Sequence, residues 1–187
     1  MHILPGVTVK YAHGESGIVI SEGSVIAKGE PARPISFIPA SPNPMPGDYA
    51  YAFTFQDPQG VYLLEHCRIE HASTALLIQA GSAEIASCQI LTGLQSGIEC
   101  SGQSASKITR SRIAGHKTGT GIICSGYAKP FLRANNIVDN AWAVVSYMNL
   151  LVDTRENWWG SDPSAEGLIM GQVDYSSWLK AESSDHP

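Results

Sequence analysis

The sequence predicts an all-β fold, a solenoid of short parallel strands, on three observations. Helical periodicity is nearly absent: apolar residues come in alternating runs such as VTV, IVI, PISF and AFTF, separated by Gly, Pro, Ser and Asp, a pattern of strands and turns. The middle of the chain also repeats. LLEHCRIEHASTALLI, EIASCQILTGLQSGIEC, KITRSRIAGHKTGTGIIC, FLRANNIVDNAWAVVS and VDTRENWWG align so that one position reads Cys67, Cys88, Ser111, Asn135 and Asn157, spaced 21, 23, 24 and 22 residues apart. Finally, apolar residues keep that register. Ile69, Ile90, Ile113, Ile137 and Trp159 stand two places later, and Leu64, Ile85, Ile108 and Leu132 three places earlier. Leu76, Ile98, Ile122 and Val144 align farther on, followed at +2 by Ile78, Cys100, Cys124 and Ser146.

Three short strands in about 22 residues cannot close a hydrophobic face alone, but stacked coils bury one continuous interior. A right-handed single-stranded parallel β-helix satisfies every register, because equivalent residues of adjacent coils lie about 4.8 Å apart and like stacks on like. A leucine-rich repeat suits the period, yet its L-x-x-L-x-L signature and helix-forming segments are missing. An antiparallel sandwich gives no reason for identical positions to recur at one period.

The elements follow in order along a single domain, residues 1–187. Residues 1–60 form irregular, longer coils whose strands are GVTVKY, GIVISEGSVIAKG, PISFIP and YAFTF, with the Pro-rich stretch Ile38 to Tyr49 projecting from one turn. Residues 61–160 form the regular coils. Residues 161–187 supply a closing strand and tail. In NWWG, Asn157 continues the Cys67 to Asn135 ladder, where an amide can bond turn backbone. Trp159 takes the inward site of the isoleucines as a plug for the last layer, Trp158 points outward above Asn136, and Gly160 to Pro163 turns the chain out of the solenoid.

Composition bounds the partners. A net charge of -5, with twelve Lys and Arg spread thinly, argues against nucleic acid and membrane surfaces, which need a basic footprint. No apolar stretch approaches the roughly 20 residues of a membrane span. The start, MHILPGVTVKY, lacks the features of a secretory signal. Four cysteines without CxxC or zinc-like spacing imply no metal and no cofactor.

With these elements placed, the sequence resembles the pectate-lyase-like right-handed parallel β-helix superfamily. Within it the chain is similar to bacterial extracellular β-helix repeat domains that open with a PGVTVKF-like strand, pass a PGDW-like turn and finish with NWWG. The matching residues are PGVTVKY (Pro5 to Tyr11), PGDY (Pro46 to Tyr49) and NWWG (Asn157 to Gly160), with GQVDYSSWL (Gly171 to Leu179) resembling the closing strand. The resemblance spans roughly residues 3 to 180. It implies an extracellular or cell-surface location and a carbohydrate setting, whereas unpaired cysteines also suit the cytoplasm. Such domains usually carry a strand or two before PGVTVKF, so an incomplete first coil is expected here, with that end as a contact for another segment or subunit.

The densest ionisable stretch is EHCRIEH. Glu65, His66 and Arg68, joined by Arg110 and Arg112 two coils along, are expected to line one outward polar strip, with Trp158 as a further ligand-contact residue. The bland reading of that strip is a solvated face of compensating charges. Cys67, Cys88, Ser111, Asn135, Asn157 and Trp159 form the structural ladder, the cysteines as reduced packing thiols. GHK, Gly115 to Lys117, reads as a turn with solvated His116 and Lys117. Outward Leu77, Ile123 and Val145, with Glu99 among them, form an apolar stripe that either lies under the tail from Ala165 or serves self-association. One glutamate does not make the pair of carboxyl groups that glycoside hydrolysis needs. The sequence therefore favours a non-catalytic scaffold or binding module contacting glycans or other subunits. An atypical polysaccharide lyase or glycoside hydrolase, and a self-associating fibre segment, are the alternatives.

Overall fold

The structure, a computed structural model, describes residues 1–160 and 165–183. Each coil contributes three strands. The first holds β1 (His2–Ile3), β2 (Thr8–Tyr11) and β3 (Ile18–Ile20), and the second β4 (Val25–Lys28), β5 (Ile35–Pro39) and β6 (Tyr49–Phe55). Then come β7 (Val61–Glu65), β8 (Cys67–Glu70) and β9 (Ala72–Ile78), followed by β10 (Ser82–Ala86), β11 (Gln89–Leu91) and β12 (Ser96–Cys100). The next coil has β13 (Ala105–Thr109), β14 (Arg112–Ala114) and β15 (Thr120–Cys124), and the sixth β16 (Phe131–Arg133), β17 (Asn136–Val138) and β18 (Trp142–Ser146). A seventh coil holds β19 (Val152–Asp153), a 3-10 turn (Ala165–Leu168) and β20 (Ile169–Met170), and a partial closing coil begins with β21 (Val173–Asp174), which pairs with β19.

Stacking these coils makes three parallel sheets. Sheet 1 runs β1-β4-β7-β10-β13-β16, sheet 2 runs β2-β5-β8-β11-β14-β17, and sheet 3 runs β3-β6-β9-β12-β15-β18-β20. The repeat read from the sequence is the strand register itself: Leu64, Ile85, Ile108 and Leu132 pair in line, as do Ile69, Ile90, Ile113 and Ile137 and Leu76, Ile98, Ile122 and Val144. All twelve are fully buried. In the first coils the same interior is aromatic: Tyr11 stacks on Tyr49, and Phe53, Phe55 and Tyr62 stack in turn. Expectation and structure differ at the N-terminal end, where the first coil has all three strands. Its inward Ile3, Val9, Ile18 and Ile20 are only half-buried.

The ladder from Cys67 to Asn157 joins one coil to the previous one. Asn135 donates from Nδ2 to the Ile108 carbonyl at 2.8 Å, and Asn157 to that of Leu132 at 3.0 Å. Both acceptors belong to the coil before. The thiols imitate them more weakly, Cys67 toward Ala27 O and Cys88 toward Leu64 O. Ser111 donates to Thr109 O of its own coil at 2.9 Å, and its Oγ accepts from Cys88 N of the coil before at 3.1 Å. The amide oxygens work as well: Asn135 Oδ1 accepts from Ser111 N, and Asn157 Oδ1 from Asn135 N. All four cysteines are free, buried thiols. The hydrogen bond to Cys88 and burial push the Cys67 thiol far up, and burial does the same to Cys124, which makes them poor nucleophiles.

Trp159 is buried as expected, but its layer is not the last. Val152 pairs with Val173, Glu156 N bonds Ser177 O, and Leu179 N bonds Asn157 O, so the closing coil stacks beyond NWWG. The turn expected through Pro163 lies outside the described residues. The apolar stripe of sheet 3 is extended by this segment: Met170 pairs in line with Val145, and Val145 is buried while the 3-10 turn packs on β18. Leu77 and Ile123 remain half-buried, with Glu99 between them in register.

A second polar ladder corrects the sequence reading of GHK. His116 is fully buried rather than solvated, its Nδ1 2.9 Å from Asn140 Oδ1 and its Nε2 without a partner among the described residues. Room for the ring comes from glycines of the coil before: a Cβ on Gly93 would lie 2.7 Å from His116 Cδ2, and one on Gly97 3.2 Å from Cε1. Burial pushes the His116 pKa down, partly offset by the Asn140 contact. The folded state therefore prefers the neutral ring, whereas the unfolded chain takes the proton at about pH 6.5. Stability is fully present above that value and falls as pH drops below it, by up to about 1.4 kcal/mol per pH unit, the limit for one proton. Urea midpoints at pH 7.5 and 5.5 check this: the drop should shrink in His116→Gln, and an unchanged drop would contradict it.

Candidate functional site

The candidate site is the outward face of sheet 2. Strand alternation sends Ile69, Ile90, Ile113 and Ile137 inward, so the residue before each points to the outer side of the sheet. Pairing stacks Thr8, Ser36, Arg68, Gln89, Arg112 and Asn136 in one ladder, which a bridge from Asn136 to Trp158 extends. Rungs about 4.8 Å apart thus present two guanidinium groups, two amides and an indole in a straight row.

The expected strip is divided between surfaces. Arg68, Arg112 and Trp158 belong to this face. Glu65 does not: it stands on sheet 1 in register with Lys28, with which it pairs at 3.6 Å. His66 and Arg110 occupy the corner between sheets 1 and 2, in a column of left-handed residues that also includes Ser87, Ala134, Glu156 and Ser177, with φ between 48° and 60°. A residue in that conformation turns the chain instead of continuing a strand, so alternation counted through it fails. Arg110 is exposed there, with no ion pair to a described residue.

Two hollows flank the ladder. One of about 230 Å³ brings His66, Arg68 and Gln89 together beneath a wall of Glu30, Pro31 and Pro34, with Cys67 at its base. His66 Nδ1 is buried without a partner among the described residues. The wall is a clasp: Glu30 and Arg33 exchange backbone hydrogen bonds, and their side chains form a two-pronged ion pair. Sequence reasoning missed it, although EPARP, a Glu-Arg pair three apart with a proline directly after each, carried the signal. The other hollow, of about 170 Å³, lies beside Arg112 and Trp158 and is completed by Val138, Asp139, Gly160 and Glu182.

Carboxylates on this face are neutralised. Arg68 donates to Glu70, two residues along its own strand, at 2.7 Å, and Arg112 pairs with Glu182 of the tail. Among the described residues, no three His, Cys, Asp or Glu side chains converge as a metal would require. On sheet 3, burial raises the Glu99 pKa; its register neighbours are Leu77 and Ile123.

Comparison with known proteins agrees with this architecture. Residues 55–157 match the family described as a right-handed β-helix region. No curated protein matches the sequence. Among solved structures, an alginate lyase from Paenibacillus sp. str. FPU-7 is similar at 12% identity over 91% of this chain and 93% of that one, with a TM-score of 0.38, too loose a likeness to bear on function. The family match covers more than half of the sequence, and the chain belongs to the right-handed β-helix family.

Proposed function

We propose that the protein is a non-catalytic β-helix module that holds a glycan along the outward face of sheet 2. The observation that carries this reading is the ladder Arg68, Gln89, Arg112, Asn136 and Trp158. Guanidinium and amide groups supply fixed donors for carboxylate and hydroxyl oxygens, and an indole offers an apolar face with a polar edge. The rigid sheet sets their spacing, so little ordering accompanies binding. Hydrolysis would need two carboxyl groups about 5 to 9.5 Å apart across a bond. Glu70 and Glu182 are tied up in ion pairs, and Glu99, the carboxyl with an acid-like environment, has aliphatic neighbours on another sheet.

Affinity electrophoresis in gels containing acidic polysaccharide tests the placement. Trp158→Ala is expected to weaken retention roughly tenfold, the loss of about 1.4 kcal/mol, and added salt should weaken it further. Arg110→Gln, which changes a corner residue off the ladder, should leave retention as it is. Weaker binding in Arg110→Gln with none in Trp158→Ala would move the site off sheet 2.

A further inference from the structure

The C-terminal tail crosses the strip at one place, and its contacts resemble those of a ligand. Glu182 sets a carboxylate oxygen on Arg112 Nη1, and the same oxygen lies 3.4 Å from Asn136 Nδ2. Asn136 uses both ends of its amide on the next residue, donating to Ser183 O at 3.2 Å and accepting from Ser183 N at 3.0 Å. It is fully buried as a result, an unusual state for an asparagine on the outward face of a sheet. Arg112 and Asn136 are register partners, and Trp158 is bridged to Asn136. The hollow of about 170 Å³ opens between Arg112, Trp158 and Glu182.

The geometry points to Arg112, Asn136 and Trp158 as a subsite for a carboxylated sugar, with Glu182 and Ser183 as its intramolecular occupant. This rests on sheet 2 being the glycan-binding face. A guanidinium beside an amide that both donates and accepts matches a carboxylate next to a hydroxyl, and the Trp158 ring supplies a flank on which a sugar can lie. The Glu182 carboxylate fills the anionic position, so tail docking and binding of a carboxylated ligand exclude each other. By mass action the docked tail lowers the apparent affinity by the fraction of molecules in which the subsite is covered. Arg68 is not closed in this way, because its partner Glu70 sits on its own strand. The tail therefore tunes one end of the strip.

Isothermal titration with oligogalacturonate, a chain of carboxylated sugars, compares the full chain with Glu182→Gln and Ser183→Pro. The first substitution removes the competing charge, and the second removes the N–H that Asn136 accepts; neither alters a ladder residue. Each is expected to tighten binding roughly threefold, and the two together roughly tenfold, given that a part-exposed ion pair contributes modestly. Oligogalacturonate should also speed hydrogen exchange at the Ser183 amide in the unaltered chain, because linkage is reciprocal. Equal affinity in all chains would overturn the occupant while leaving the strip intact. No binding by any chain would remove the strip and the subsite together. Binding of polyglutamate in place of oligogalacturonate would overturn the sugar assignment in favour of a peptide.

Discussion

Replacing Asn157 by Ala is expected to cost about 3 kcal/mol or more of folding stability, read as a fall in urea midpoint with an unchanged slope. The buried amide donates to the carbonyls of Leu132, Thr154 and Arg155 and accepts from the backbone and side chain of Asn135. Truncation leaves those groups dry and unpaired, at about 1–3 kcal/mol for each that water cannot reach. Several carbonyls can share other donors, which keeps the sum below simple addition. Asn157→Ser should fall between, because Ser111 at the same ladder position keeps the bond from the backbone N–H of the coil before but donates only to its own coil. A loss under about 1 kcal/mol for Asn157→Ala would contradict a ladder that ties coils together.

Trp159→Ala is expected to cost about 3–5 kcal/mol, the range for deleting a buried aromatic. The indole lies in the core cluster with Val152 and Val173 between the sixth and closing coils, so its removal leaves a cavity where the last layers meet. Trp159→Phe should cost under about 1.5 kcal/mol, because the ring is mostly replaced and Nε1 has no partner among the described residues. Trp158→Ala, on the outward side and only half-buried, should change stability by less than about 1 kcal/mol. Thermal unfolding of the three variants checks the division: if Trp158→Ala proved the most destabilising, the inside and outside assignments of NWWG would be reversed.

Most of the fold was legible because a β-helix stacks like on like. Cys67, Cys88, Ser111, Asn135 and Asn157 share one environment, so one alignment of the sequence with itself reproduces the strand register. The site was less legible for three physical reasons. The corner before each ladder residue is left-handed without glycine, as at His66 and Arg110, so alternation placed Glu65, His66, Arg68 and Arg110 on one strip when they lie on three surfaces. The burial of His116 depends on what Gly93 and Gly97 omit in the coil below, and an absent Cβ marks no partner in a sequence. The Arg112–Glu182 contact spans 70 residues from a tail outside the repeat, where no period predicts pairing. The EPARP clasp carried a signal, but it lay in the irregular coils, outside the repeat whose register exposes the other positions.

The separation of binding from chemistry is tested most directly by one incubation. The purified chain is mixed with a panel of acidic and neutral polysaccharides, and both retention on the polymer and the appearance of new chain ends are recorded. Retention on acidic polymers, weakened by Trp158→Ala and by salt, with polymer length unchanged, is the predicted result. Cleavage that disappears in His66→Ala or Arg112→Gln would contradict the account and make the face of sheet 2 an active site.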